Sequence, residues 1–219
     1  MGGLQDNGTL KYTGSPSWIP IWGGDGGWCA IDPTNKNTIY AETQYGRIVR
    51  SYSGGGSFSQ ATVGLPGSQS DWNFIPPFAI SPSDPQVLYA GSRNVYKTTN
   101  RGVSWFPSNG SASLNGTTIA CIGVSWTSPD TVLAGTGSGT FGVAPLFQIF
   151  ASTTGGAGWT NVTGPLPDRY PTDLEFDPTD SRTAYVTYSG YGTPHVFRTT
   201  NLGSSWTDIS SNLPDLPHQ

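Results

Sequence analysis

The chain has 219 residues, enough for a substantial core, with 11 % charged side chains, 30 Gly and 18 Pro. Its aromatic content of 12 %, with eight Trp, excludes a chain that never packs. A net charge of -4 with ten scattered Lys and Arg excludes phosphate neutralisation along a nucleic acid. No apolar run approaches the roughly 18–20 residues of a membrane span, so membrane insertion is not expected either.

Met1 opens into what reads as mid-domain sequence with no basic or apolar leader, as expected of a fragment. The first full unit starts near Trp28. Trp28–Asp32 is a short, mostly apolar run that predicts a strand buried on both faces. Pro33–Asn37 is a turn by composition, and Thr38–Thr43 alternates with β-rich residues as a second strand. Arg47–Ser51 predicts a third strand, a Gly-rich turn follows, and Phe58 begins a fourth, outer strand. The order recurs with Phe78–Ser81, Gln86–Ala90, Asn94–Thr98 and Trp105–Phe106. It recurs again with Ile119–Val124, Thr131–Ala134, Leu146–Phe150 and Trp159–Val162, where a longer loop from Gly135 to Pro145 intervenes. The last set is Leu174–Phe176, Thr183–Thr187, His195–Thr199 and Trp206–Ile209.

One short box punctuates each unit. A Ser or Thr opens it, a Gly follows four residues later and an aromatic closes it three after that. The copies run Ser51–Phe58, Thr98–Trp105, Ser152–Trp159 and Thr199–Trp206, with their glycines 55, 102, 156 and 203 spaced by 47, 54 and 47 residues. Pro33, Pro82, Pro129 and Pro178 recur in step, spaced by 49, 47 and 49. Repeats of this period mark solenoids, propellers or arrays. Four antiparallel strands per roughly 50 residues specify an all-β chain of propeller blades. A hairpin turn at the box needs positive φ, which Gly supplies. The third box residue (Ser53, Asn100, Thr154, Asn201) can cap turn amides, and the closing aromatic packs back over the turn.

The boxes resemble the Asp-box, or BNR repeat, of sialidases, xyloglucan-cleaving glycoside hydrolases, the sortilin family and photosystem-assembly propellers. No copy keeps the Asp, and the third has Gly158 where the family has Thr or Ser. Gly3–Thr9, and Gly23–Gly27 followed by Asp32–Asn35, also resemble large secreted bacterial members labelled glycosyl-hydrolase-like or sortilin-like. The resemblance implies a β-propeller of exported bacterial origin, placed outside the cell or at its surface. Residues 1–22 read as the remnant of an earlier blade with a loop leading in. The four blades then occupy 23–70, 71–114, 115–168 and 169–219, the last with a C-terminal tail. Such rings usually close with six to eight blades, so the chain is expected to be an arc of seven or eight. The alternatives are half a ring completed by other blades or a second chain, and a small four-bladed ring.

In propellers, ligands usually sit over the central channel, among loops leading into the innermost strands. Those loops carry Trp18, Trp22 and Asp25, then Asp71, Trp72 and Asn73, then Asn115–Thr118, then Tyr170 and Asp173. Aromatic rings stack on pyranose faces and carboxylates accept hydroxyl bonds, so these residues are candidate ligand contacts. Asp25, Asp71 and Asp173 are candidate catalytic acids, because glycoside hydrolysis needs paired carboxylates. The competing structural reading makes Asp25 a turn cap, Trp72 inter-blade packing and Asp173 a partner for strand amides. A sialidase site is excluded, since Arg47, Arg50, Arg93 and Arg198 fall by third strands and no Arg-Ile-Pro occurs. Cys29 and Cys121 are too few for a disulfide framework, and two buried thiols are expected, with one bridge as the alternative. His195 and His218 lie far apart, so no metal site is expected, and no motif points to a cofactor. The leading function is a binding module for a polysaccharide or a surface protein. A xyloglucanase-like hydrolase is the alternative, and a structural spacer the third reading.

Overall fold

The computed structural model describes residues 1–138 and 147–216. Leu146, expected in a third strand, and His218 lie outside the described residues. The described chain forms five antiparallel sheets in sequence order, one of three strands and four of four. The first comprises β1 (Gly2–Leu4), β2 (Gly8–Tyr12) and β3 (Trp18–Trp22). Blade 1 comprises β4 (Gly26–Ile31), β5 (Ile39–Thr43), β6 (Arg47–Ser51) and β7 (Ser59–Gln60). Blade 2 comprises β8 (Phe78–Ile80), β9 (Leu88–Gly91), β10 (Val95–Thr98) and β11 (Phe106–Pro107). Blade 3 comprises β12 (Ile119–Val124), β13 (Val132–Thr136), β14 (Ile149–Ser152) and β15 (Thr160–Asn161). Blade 4 comprises β16 (Pro171–Phe176), β17 (Ala184–Tyr188), β18 (Val196–Thr199) and β19 (Thr207–Asp208).

Each inner strand packs on the next, β1 on β4, β4 on β8, β8 on β12 and β12 on β16. Among the described residues no strand of blade 4 packs extensively on the first sheet, so this packing runs as an arc. The core is three apolar layers between successive blades. Tyr40, Ile48, Leu88 and Trp105 fill the first, Tyr89, Ile122, Val132 and Ala134 the second, and Leu133, Ile149, Leu174 and Phe176 the third. Neighbouring residues of one strand serve opposite layers, as Leu88 and Tyr89 or Val132 and Leu133 do. Period-2 side-chain alternation lets one second strand serve two layers at once.

Two sequence expectations change. Trp18–Trp22 pairs with β2, Tyr12 opposite Trp18, and is an outer strand rather than a loop over the channel. Trp28 is 41 % exposed and Ile31 45 %, so β4 is not buried on both faces.

The boxes tie each sheet to the one before it. In all four, the opening hydroxyl accepts two backbone N–H groups. Ser51 takes those of Ser53 and Gly55, Thr98 those of Asn100 and Gly102, Ser152 those of Thr154 and Gly156, and Thr199 those of Asn201 and Gly203. The third-position side chain accepts the amide of residue seven, at Ser57, Ser104, Gly158 and Ser205. The glycines have φ of 73° to 93° and sit against Ile21, Ala61, Ser108 and Val162 of the preceding sheets. A Cβ at Gly203 would stand 2.6 Å from Val162. The closing tryptophans cover their glycines and reach further back. Trp105 Nε1 donates to Ala61 O at 2.8 Å and Trp206 Nε1 to Val162 O at 2.8 Å. Trp159 Nε1 meets Ser108 Oγ at 3.4 Å, and Phe58 packs tilted against Trp22 with ring centroids 5.2 Å apart. The aromatic therefore joins neighbouring sheets as well as closing its own turn.

Two substitutions test this account by urea unfolding. Trp105→Ala removes a fully buried ring and orphans the Ala61 carbonyl, with an expected loss of about 3–5 kcal/mol. Gly158→Ser meets open space, since its Cβ would lie 3.9 Å from the nearest atom, Thr154 Oγ1. It restores the hydroxyl that Ser57, Ser104 and Ser205 supply, with an expected gain of about 0.5–1 kcal/mol.

Candidate functional site

Three of the four blade-forming inner strands carry a β-bulge near their first residues. On β4 the register passes from Gly26 opposite Thr43 to Cys29 opposite Ala41, so Gly27 and Trp28 share one partner, Glu42. On β12 the extra residue is Ala120, and on β16 it is Thr172. Bulges re-aim side chains and are common beside functional sites. Here they converge. Trp28, Ala120 and Thr172 line one cavity of ≈ 410 Å³, together with Ile75, Tyr170, Asp173 and Ser189. All four blades, or the loops leading into them, contribute to this wall, which makes it the central channel.

The chemistry of the wall is mixed. Trp28 presents an indole, and Tyr170 a phenol held edge-on to Phe147 at 6.1 Å. Burial, and then the neighbouring Cys121, push the Tyr170 phenol up to about 12, so it stays a neutral hydrogen-bonding group. Asp173 is exposed, and its Oδ1 accepts the Leu174 amide at 2.9 Å. Thr172 shares its hydroxyl with Thr187 at 2.7 Å. Among the described residues Asp173 is the one carboxylate of the wall.

Behind this wall lies a carboxyl that the sequence reading passed over. Glu42 is fully buried, and its Oε1 accepts the Trp28 amide at 3.0 Å, the very N–H that the bulge removes from the β4–β5 ladder. Its Oε2 has no hydrogen-bond partner. A Cβ at Gly27 would meet Glu42 Oε1 at 2.6 Å and Ile75 at 2.7 Å, so only glycine admits this side chain beneath the bulge. Burial raises the Glu42 carboxyl well above its ordinary value, and the Trp28 amide opposes that more weakly. Its signal in sequence was a lone Glu amid the apolar second strand.

The other sequence candidates fall elsewhere. Trp18 and Trp22 lie on outer strand β3, where the box aromatic Phe58 packs tilted against Trp22. Asp25 Oδ1 accepts the Asp6 amide at 2.9 Å and closes the first-sheet turn onto blade 1. Trp72 is buried over Gly46 and donates to Pro66 O. Asn73 stitches blades 2 and 3, donating to Ile119 O and Gly137 O and accepting from Thr118. Asp71 pairs with Arg93 at 3.5 Å in a separate polar hollow of ≈ 290 Å³. Asp25 and Asp71 therefore do not join Asp173 at one cavity. Of the candidates, Tyr170 and Asp173 line the channel, and the sequence missed Trp28, Ile75, Ala120 and Ser189. Both cysteines are free, Cys121 buried and Cys29 partly so. Among the described residues, no three His, Cys, Asp or Glu groups cluster so as to hold a metal ion. Among them also, no helix is long and apolar enough to cross a membrane.

Glu42 sets a pH dependence with a definite sign. Its native carboxyl titrates above the unfolded one, so over that window the folded chain holds a proton the unfolded chain releases. Stability therefore falls as pH rises above the unfolded value, by up to about 1.4 kcal/mol per pH unit. Glu42→Gln keeps the Oε1 acceptor and cannot ionise. Denaturant melts are expected to show a flatter decline from about pH 5 upward, with little change at more acidic pH.

Comparison with known proteins bears on this architecture. No family model matches the chain. A xyloglucanase from Paenibacillus sp. is 27 % identical over 221 aligned positions, covering 82 % of this chain and 21 % of that protein. A GH74 enzyme of Niastella koreensis superposes with a TM-score of 0.70 at 22 % identity, over 98 % of this chain and 36 % of that one. An ancestral GH74 enzyme gives 0.65 at 24 %, over 85 % and 24 % of the two chains. YCF48 from Cyanidioschyzon merolae gives 0.60 at 14 %, over 90 % and 65 %. The chain thus spans about a fifth of the curated relative it matches. Its fold is a β-propeller of four-stranded antiparallel blades.

Proposed function

We propose that this chain is the sugar-handling arc of a glycoside-hydrolase-like propeller that takes a polysaccharide in its channel, outside the cell. The observation that carries this reading is the convergence of three bulged strands on one cavity with two aromatic groups and one carboxylate. The Trp28 and Tyr170 rings would stack on apolar pyranose faces, and Asp173 and the Thr172 and Ser189 hydroxyls would bond sugar hydroxyls. The likeness to a protein named xyloglucanase, and to GH74 folds, supports a β-glucan with short branches as the substrate class. It also supports assigning the Ser/Thr-Gly-aromatic turns to degenerate Asp-boxes.

Within this reading the chain itself binds. Hydrolysis requires a second carboxylate, about 5 Å from the first for retention or 6.5–9.5 Å for inversion. Asp173 alone lines the cavity among the described residues, which favours binding without turnover for the isolated chain. Catalysis then belongs to a second acid facing Asp173 across the cleft.

Affinity electrophoresis in gels containing xyloglucan, paired with a reducing-end assay, tests both parts. The expected result is retardation without product, weakened about tenfold or more by Trp28→Ala or Asp173→Asn. Unretarded migration across a polysaccharide panel would sink the reading and leave a protein partner or a spacer role. Product release that Asp173→Asn abolishes would instead make this chain a hydrolase by itself.

A further inference from the structure

The third box departs from its siblings, and a groove opens where it does. In the other three, a serine at position seven turns its hydroxyl onto the third-position side chain. Ser57 meets Ser53 at 3.2 Å, Ser104 meets Asn100 at 2.9 Å, and Ser205 meets Asn201 at 2.9 Å. Gly158 supplies no such group, and Thr154 Oγ1 turns to the Gly158 carbonyl at 3.5 Å. The adjoining Trp159 is half-buried, whereas Trp105 is 2 % and Trp206 9 % exposed. Gly158 and Trp159 line a groove of ≈ 650 Å³ between blades 3 and 4, on the box face. The neighbouring groove between blades 2 and 3 measures ≈ 360 Å³, and neither Ser104 nor Trp105 forms part of its wall.

The groove has its own chemistry. Trp159 forms part of the wall, its Nε1 reaching Ser108 of blade 2, the exposed Thr153 and Thr160 offer hydroxyls, and Arg182 contributes a cationic side chain from the opposite blade. No wall residue is a carboxylate. Asp180 lies next to Arg182, but its Oδ1 accepts the Arg182 amide and its Oδ2 the Thr183 hydroxyl. An aromatic platform suits the apolar face of a sugar ring, hydroxyls suit its edges, and a guanidinium fork suits a carboxylate. We propose that this groove is a second saccharide site, specific for a uronic-acid-bearing oligosaccharide, opened by the absence of a side chain at Gly158. The site is remote from the channel cavity, with which it shares no wall residue, and does not depend on the channel's function.

Titration of the whole chain with trigalacturonate, followed by calorimetry, tests this, with xylotriose as the neutral probe. Trigalacturonate is expected to bind at least about tenfold tighter than xylotriose, and added salt should narrow the gap. Arg182→Gln should abolish that preference. Gly158→Ser, which refills the box without threatening the fold, should weaken trigalacturonate binding about tenfold or more while unfolding no earlier. Trp28→Ala, in the channel, should leave it unchanged, so failure here is separable from failure of the channel reading. Binding that is absent, equal for the two probes, insensitive to Gly158→Ser, or lost with Trp28→Ala would overturn the proposal.

Discussion

A buried serine or threonine hydroxyl that accepts two turn amides is the contact on which the rest of this structure depends. It fixes a turn in which two successive residues have positive φ, as at Arg101 (60°) and Gly102 (73°) or Leu202 (55°) and Gly203 (82°). Only that backbone brings the glycine Cα flat against the preceding sheet and swings the next aromatic across it. A non-glycine residue in this conformation costs about 1 kcal/mol or more, and the hydroxyl's two bonds offset that cost. The turn is local, yet its products are contacts between blades 44 residues apart, such as Trp105 to Ala61 and Trp206 to Val162.

With outer strands tied this way, inner strands lie side by side, β12 buried along its whole length and β4 and β16 each with exposed residues. A regular ladder would alternate the side chains of β4, β12 and β16 between the sheets on either side. The bulges break the alternation at equivalent heights and place Trp28, Ala120 and Thr172 together. In blade 1 the broken ladder bond is replaced by Glu42, a buried acid whose Oε1 accepts the Trp28 amide. The cavity and the buried acid are thus two consequences of one extra residue in a strand.

The boxes were the most legible part of the molecule, because Ser or Thr, Gly and an aromatic at fixed spacing are the residues that the turn geometry demands. Strand order within each blade followed from them. The aromatic's partner did not, since Ala61 and Val162 accept through backbone carbonyls and carry no side-chain signature. Trp18–Trp22 read as a loop because β2, its pairing partner, stood alone in the sequence without a recognisable box between them. Asp25, Asp71 and Asp173 looked equivalent as carboxylates before inner strands. Their distinction is which neighbour each meets, the Asp6 amide, Arg93 or open channel.

By itself, then, the sequence determined the repeat, the four-stranded unit, the turns and the all-β class. All of these rest on spacings within some tens of residues and on the backbone demands of single positions. The tertiary structure alone decided which residues face the channel, because one inserted residue in a strand reverses side-chain facing without altering composition. It also decided that Glu42 is a buried acid, that Trp28 is open, and that Gly158 lines a groove between blades 3 and 4. Each depends on what a distant blade brings, or fails to bring, to the same place.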